Sequence, residues 1–87
     1  MVMMMNKILV NIYVPALEEN YDFWIPINKK VYRIILLLIK IINESSGGYY
    51  KPTKMPLLYD RITSEPYNID LTIKDNNIEN GTKMILI

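Results

Sequence analysis

Along residues 7–14 (KILVNIYV) the side chains alternate, with Ile8, Val10, Ile12 and Val14 on one face and Leu9, Asn11 and Tyr13 on the other. A period of two among β-branched residues predicts a strand. The polar stretch 15–20 (PALEEN) reads as a turn. Residues 21–25 then alternate again, with Tyr21, Phe23 and Ile25 set against Asp22 and Trp24. Two short strands joined by a tight connection predict an antiparallel hairpin.

The period then changes. Val31, Ile34, Ile35, Leu38, Ile41 and Ile42 recur at the three- and four-residue spacing of a helix stripe, with Asn28 placed to cap its start. Lys29, Arg33 and Lys40 fall opposite that stripe, and Tyr32, Leu36 and Ile39 form a shoulder beside it. The long loop over residues 44–56 is expected to cover this shoulder. Residues 44–48 (ESSGG) close the helix, because glycine takes the left-handed cap conformation at least cost. The expected core sets Val31, Ile34, Leu38 and Ile42 against Val10, Ile12, Phe23, Ile25, Met84 and Leu86, since two apolar faces in one small chain must meet.

The remainder is less regular. Residues 49–56 read as a loop pinned by Pro52 and Pro56, and Leu57–Leu58–Tyr59 as a short strand. A very short strand near residues 66–69 and a helical turn near 70–74 interrupt an irregular stretch. A last strand over residues 83–87 is entered through Asn80–Gly81. The sequence contains no internal repeat and no linker, which predicts one domain over residues 1–87, with 1–6 as a candidate disordered tail. Met1, Met3, Met4 and Met5 are all candidate translation starts, and nothing in this segment has the basic region or cleavage site of a secretory signal.

Composition narrows the chemistry. With 87 residues the chain suits one small core. It has no cysteine and no histidine, which excludes disulfides, thiolate zinc sites and imidazole-based catalysis. Ten basic against nine acidic residues give a net charge of +1, too small a field to indicate nucleic acid. The longest apolar stretch, residues 31–42, is interrupted by Arg33 and Lys40, whereas a membrane-spanning helix needs about 20 apolar residues. The expectation is therefore a soluble intracellular protein, not an enzyme, with no cofactor, no metal site and no direct membrane insertion.

The order of hairpin, long helix, short strands and final strand resembles a ubiquitin-like β-grasp domain. That implies an α+β fold with a mixed sheet of four to five strands and one main helix packed on one face. Leu71, Ile78 and Gly81 fit the tail pattern of such domains: a leucine, a polar turn, a buried isoleucine, then glycine before the last strand. Residues 25–31 (IPINKKV) resemble their passage from second strand to helix. Within that fold, a chain ending with its last strand is most similar to the YukD/EsaB family of type VII (WXG-type) secretion accessory proteins. The resemblance implies a cytoplasmic, non-conjugated interaction module. Ubiquitin-type modifiers and sulfur carriers use a C-terminal Gly-Gly, while here Gly47–Gly48 is internal and Ile87 ends the sequence.

Other candidate sites have plainer readings. Glu18, Glu19, Asp60, Glu65, Asp70, Asp75 and Glu79 fall in separate turns, where acidic residues are favoured without any catalytic role. Ser45–Ser46–Gly47–Gly48 follows a helix, whereas phosphate-binding loops precede one. Tyr49, Tyr50, Lys51 and Lys54 interleave aromatic and basic residues, but two charges are too few for nucleic-acid binding. The apolar excess is more informative. A β-grasp sheet leaves one face open, and alternation assigns to it Leu9, Asn11, Tyr13, Trp24, Leu58, Ile85 and Ile87 as one apolar band. Leu9, Tyr13, Trp24, Leu58, Ile85 and Ile87 are the expected protein interface, for another protein or for a second copy of the chain. Two function classes follow: a binding module of a secretion or other multiprotein apparatus, an unrelated small β-grasp adaptor included, or a modifier or sulfur-carrier relative without its Gly-Gly tail or a small enzyme. Neighbouring genes for an FtsK-like ATPase and WXG-type proteins would separate the first from the second.

Overall fold

The computed structural model describes residues 6–87. Strand β1 spans Lys7–Val14, β2 Glu19–Pro26, helix α1 Val31–Ser45, β3 Leu58–Asp60 and β4 Lys83–Leu86. The sheet has the order β2-β1-β4-β3. β1 and β4 run parallel at its centre, and β2 and β3 pair antiparallel on either side. The expected disordered tail covers residues 1–5, which lie outside the described residues, and Asn6, whose carbonyl accepts the Ile27 N–H at 2.8 Å.

The β1–β2 turn is tighter than the sequence suggested. Val14 pairs with Glu19, so β2 starts two residues before Tyr21. The loop closes through the Leu17 N–H to Val14 and the Glu18 N–H to Pro15, with Glu18 at a positive φ of 53°. Alternation then carries Val10, Ile12, Val14 and Ile25 to one side, where they are buried with Leu58, Met84 and Leu86. The α1 stripe Val31, Ile34, Ile35, Leu38 and Ile42 closes the same core. Phe23 and Tyr21 are half-buried at the margin, their rings stacked at 5.8 Å.

Asn28 is not the helix cap. Lys30 occupies that position in an extended conformation, and no side chain caps α1. Instead the Val31 N–H donates to Leu71 (2.9 Å) and the Tyr32 N–H to Ile69 (3.2 Å). Those backbone carbonyls satisfy donors that a capping side chain would otherwise take. The 69–73 segment is tied down in return, since the Ile73 N–H donates to Lys29 and Ile73 is fully buried.

The helix end follows the sequence. Gly48 donates to Asn43 and Gly47 to Glu44, with φ of 91° and 73°, which is the paired bonding of a Schellman cap. The loop beyond it is anchored by buried Tyr50, and it leaves Leu36 of the helix shoulder 53% exposed, while Tyr32 and Ile39 are half-buried. The Asn43 amide holds that turn by donating to the Tyr50 carbonyl.

Leu58 is the main correction. It is 1% exposed and pairs with Leu86 on the helix-facing side. Tyr59, opposite Ile85, takes the open side instead. A three-residue strand offers too little alternation to fix its own phase, and the antiparallel register with β4 decides it. The expected strand near residues 66–69 reduces to one bridge, Tyr59 to Pro66, against the outer edge of β3.

Candidate protein interface

Four rows of side chains cross the face turned away from α1. Leu9 sits beside Trp24 in the first. Asp22, Asn11 and Lys83 form the second, and Asn20, Tyr13, Ile85 and Tyr59 the third. Leu57 and Ile87 bond reciprocally through their backbones (2.8 and 3.0 Å) and form the fourth. Trp24 is 59% and Ile87 65% exposed. Leu9, Tyr13, Ile85 and Tyr59 are half-buried.

The expected single apolar band is divided. Arg61, which the sequence reading did not single out, lies across the middle of the face. Its Nη2 donates to the Met84 carbonyl (2.9 Å), Asn11 Oδ1 (2.7 Å) and Asn20 Oδ1 (3.3 Å). Its guanidinium also lies 5.8 Å from the Tyr13 ring centroid, within cation–π range. The Asn11 amide in turn donates to Asp22 (2.9 Å). This polar seam separates the Trp24–Leu9 cluster from the cluster of Ile85, Ile87 and Tyr59. The second cluster borders an open cavity of about 290 Å³ lined also by Pro15 and Ser64. Nothing in the one-dimensional pattern marks Arg61, because its role depends on β3 lying next to β4.

Arg61 is presented by a tight loop. The Asp60 carboxylate accepts the Ile62 N–H (2.8 Å), the Thr63 N–H (3.0 Å) and the Tyr67 hydroxyl (3.0 Å). The two backbone donors chiefly hold Asp60 below the ordinary carboxylate range. Burial, then Asp60 itself, pushes the Tyr67 phenol well above the usual tyrosine range. A carboxyl depressed by folding contributes stability above its unfolded pKa of about 3.9 and loses it as pH falls through the folded value. Asp60→Asn should therefore lower the urea midpoint at pH 7, and the deficit should shrink as pH is taken below about 4. A pH-independent difference between the two proteins would show that the ionised carboxylate does not hold this loop.

Among the described residues no group of three or more His, Cys, Asp or Glu could hold a metal ion. No helix among them is long and apolar enough to cross a membrane.

The arrangement of central parallel strands, flanking antiparallel strands and one helix on a single face has close counterparts among solved structures. The EccD5 ubiquitin-like domain from Mycobacterium xenopi superposes with a TM-score of 0.77 at 15% identity, covering 93% of this chain and 92% of that one. The ubiquitin-like domain of the Mycobacterium tuberculosis type VII secretion protein ECCD1 gives 0.75 at 16% identity, over 95% and 99%. The chain has the ubiquitin-like β-grasp fold. A chain of the MycP5-free ESX-5 inner membrane complex also matches, with a TM-score of 0.77 at 11% identity, over 94% of this chain and 21% of that one. No protein-family model and no curated protein matches the sequence. At these identities the likeness establishes the fold.

Proposed function

We propose that this chain is a non-conjugated ubiquitin-like interaction module, an accessory component of a bacterial type VII (WXG-type) secretion apparatus that acts at the cytoplasmic side and has no catalytic activity of its own. The observation that carries the binding role is Trp24, 59% exposed beside Leu9 on a sheet face that α1 does not cover. Exposed tryptophan is enriched among the residues that dominate interface energies. The secretion assignment is supported by the fold's resemblance to EccD ubiquitin-like domains over nearly the whole of both chains. It agrees with the YukD/EsaB resemblance of the sequence.

The modifier reading needs a flexible Gly-Gly carrier segment, and Gly47–Gly48 does not serve as one, because it forms the cap of α1. The test is isolation of the tagged chain from the host that encodes it, after mild cross-linking. Components of a type VII apparatus should be enriched above an unrelated ubiquitin-like control. Recovery with adenylating or sulfur-transfer enzymes instead would overturn the assignment.

A further inference from the structure

The turn that leads into β4 is made of two residues that the fold itself demands. Thr82 donates its N–H to the Glu79 carbonyl (3.1 Å) across Asn80 and Gly81, and Gly81 sits at a φ of 89°. A positive φ at the third position of such a turn calls for glycine. A Cβ at Gly81 would meet nothing within 4 Å, so conformation and not space fixes the choice. Asn80 is fixed by its side-chain oxygen. Its Oδ1 accepts the Leu9 N–H (2.7 Å), while the Gly81 N–H donates to the Leu9 carbonyl (2.7 Å). These two bonds carry the parallel β1–β4 pairing one step beyond the bond from the Asn11 N–H to Thr82 (3.0 Å).

The same pair is chemically reactive. Of the asparagines in the sequence, only Asn80 is followed by glycine. With no Cβ to shield it, the glycine nitrogen can reach the side-chain amide that precedes it. The reaction needs only water. The Gly81 nitrogen gives up its proton and attacks Asn80 Cγ, the Cγ–Nδ2 bond breaks, and ammonia leaves with that proton, closing a succinimide ring. Water then opens the ring. Cleavage between the nitrogen and Cγ gives aspartate. Cleavage between the nitrogen and the main-chain carbonyl carbon gives isoaspartate, whose backbone runs through Cβ and Cγ and is longer by a methylene.

Folding occupies both reacting groups. The Leu9 carbonyl holds the Gly81 proton, and the Leu9 N–H tethers Asn80 Oδ1. A donor on Oδ1 by itself favours attack at Cγ, so the bond at Gly81 decides the protection. The two products differ in what they leave of the turn. Aspartate keeps the chain length and an oxygen for the Leu9 N–H. In isoaspartate the added methylene falls between the Glu79 carbonyl and the Thr82 N–H, immediately before a strand whose Met84 and Leu86 are buried in the core.

We propose that Asn80–Gly81 is a self-modification site guarded by the fold. It is spared while β4 lies on β1, yields isoaspartate when the chain opens, and in that form no longer reseats β4. The site does not depend on the secretion assignment.

The test incubates the full chain in warm, mildly alkaline buffer, with and without guanidinium chloride above its unfolding midpoint. Peptide mapping by mass spectrometry then separates the asparagine, aspartate and isoaspartate forms of position 80. Conversion in buffer should be at least about tenfold slower than in denaturant, the factor that opening two hydrogen bonds implies. After the denaturant is removed, the isoaspartate form should unfold at a clearly lower denaturant concentration than the starting chain. Asn80→Asp, with the ordinary backbone, should stay close to the starting chain. Equal conversion in the two conditions, or no isoaspartate in denaturant, would overturn the guarded site. An isoaspartate form that regains the starting midpoint would overturn the effect on β4. So would an Asn80→Asp chain that loses as much stability as the isoaspartate form, because the lengthened backbone would then not be the cause.

Discussion

Leu38→Ala is expected to destabilise the fold by about 2–5 kcal/mol, the range for emptying a well-packed leucine site. Leu38 is 1% exposed at the centre of the α1 stripe, between Ile34, Ile35 and Ile42 and facing the sheet. A chain of 87 residues has a total stability of roughly 4–13 kcal/mol at the usual per-residue value, so one side chain carries a large share. In a domain of this size each kcal/mol shifts Tm by roughly 4–8 °C, which makes a drop of at least about 8 °C the expected reading. Leu36→Ala and Leu37→Ala are the controls. Both residues are about half exposed on the same helix, and surface substitutions of this kind stay within about 0.5 kcal/mol. If all three variants melt alike, α1 does not pack on the sheet along this stripe.

That contrast also shows how far the sequence could be read. Long segments with a sustained period declare themselves, because each buried position repeats the same vote. β1 and α1 have this property, and their buried residues are those their alternation predicts. The hairpin and the glycine cap of α1 were legible for a different reason, as their turn chemistry is local. What depends on contacts distant in sequence was not legible. Leu58 faces the core because of its register with Leu86, and Ile73 and Tyr50 are buried because their loops fold back onto α1 and the sheet. Asn28 was a plausible cap by type, but the carbonyls of Ile69 and Leu71 reach the helix start from about forty residues away. The open face follows the same division: Leu9, Tyr13, Trp24, Ile85 and Ile87 lie on it as alternation requires, whereas the Arg61 seam that divides them exists only in three dimensions.

Trp24→Ala should behave in the opposite way to Leu38→Ala. With 59% of its surface already in water, the indole contributes little to the folded core, and Tm should hardly move. Affinity for the partner should fall by about 2 kcal/mol or more, roughly thirtyfold, if the ring is a central anchor. A tryptophan on a rigid strand loses little conformational freedom on docking, and Leu9 beside it extends the apolar contact. Ile87→Ala, across the Arg61 seam, separates two ways of using the face. A partner that spans both clusters loses affinity with either substitution, whereas one seated on the Trp24 cluster alone is indifferent to Ile87. Collapse of the fold in Trp24→Ala would instead place the ring in the core and shift β2 by one residue in register.

Because Trp24 is the single tryptophan, its fluorescence reports this face and no other. The most direct test of the interaction role is iodide quenching of Trp24, incorporated as 5-hydroxytryptophan so that it is excited apart from the tryptophans of any partner, in the isolated chain and in the presence of the purified type VII secretion complex of its host. Efficient quenching of the chain alone, followed by protection when the complex is added, is the predicted result. Quenching that stays unchanged while the chain is demonstrably bound would contradict the assignment of the open sheet face as the interface.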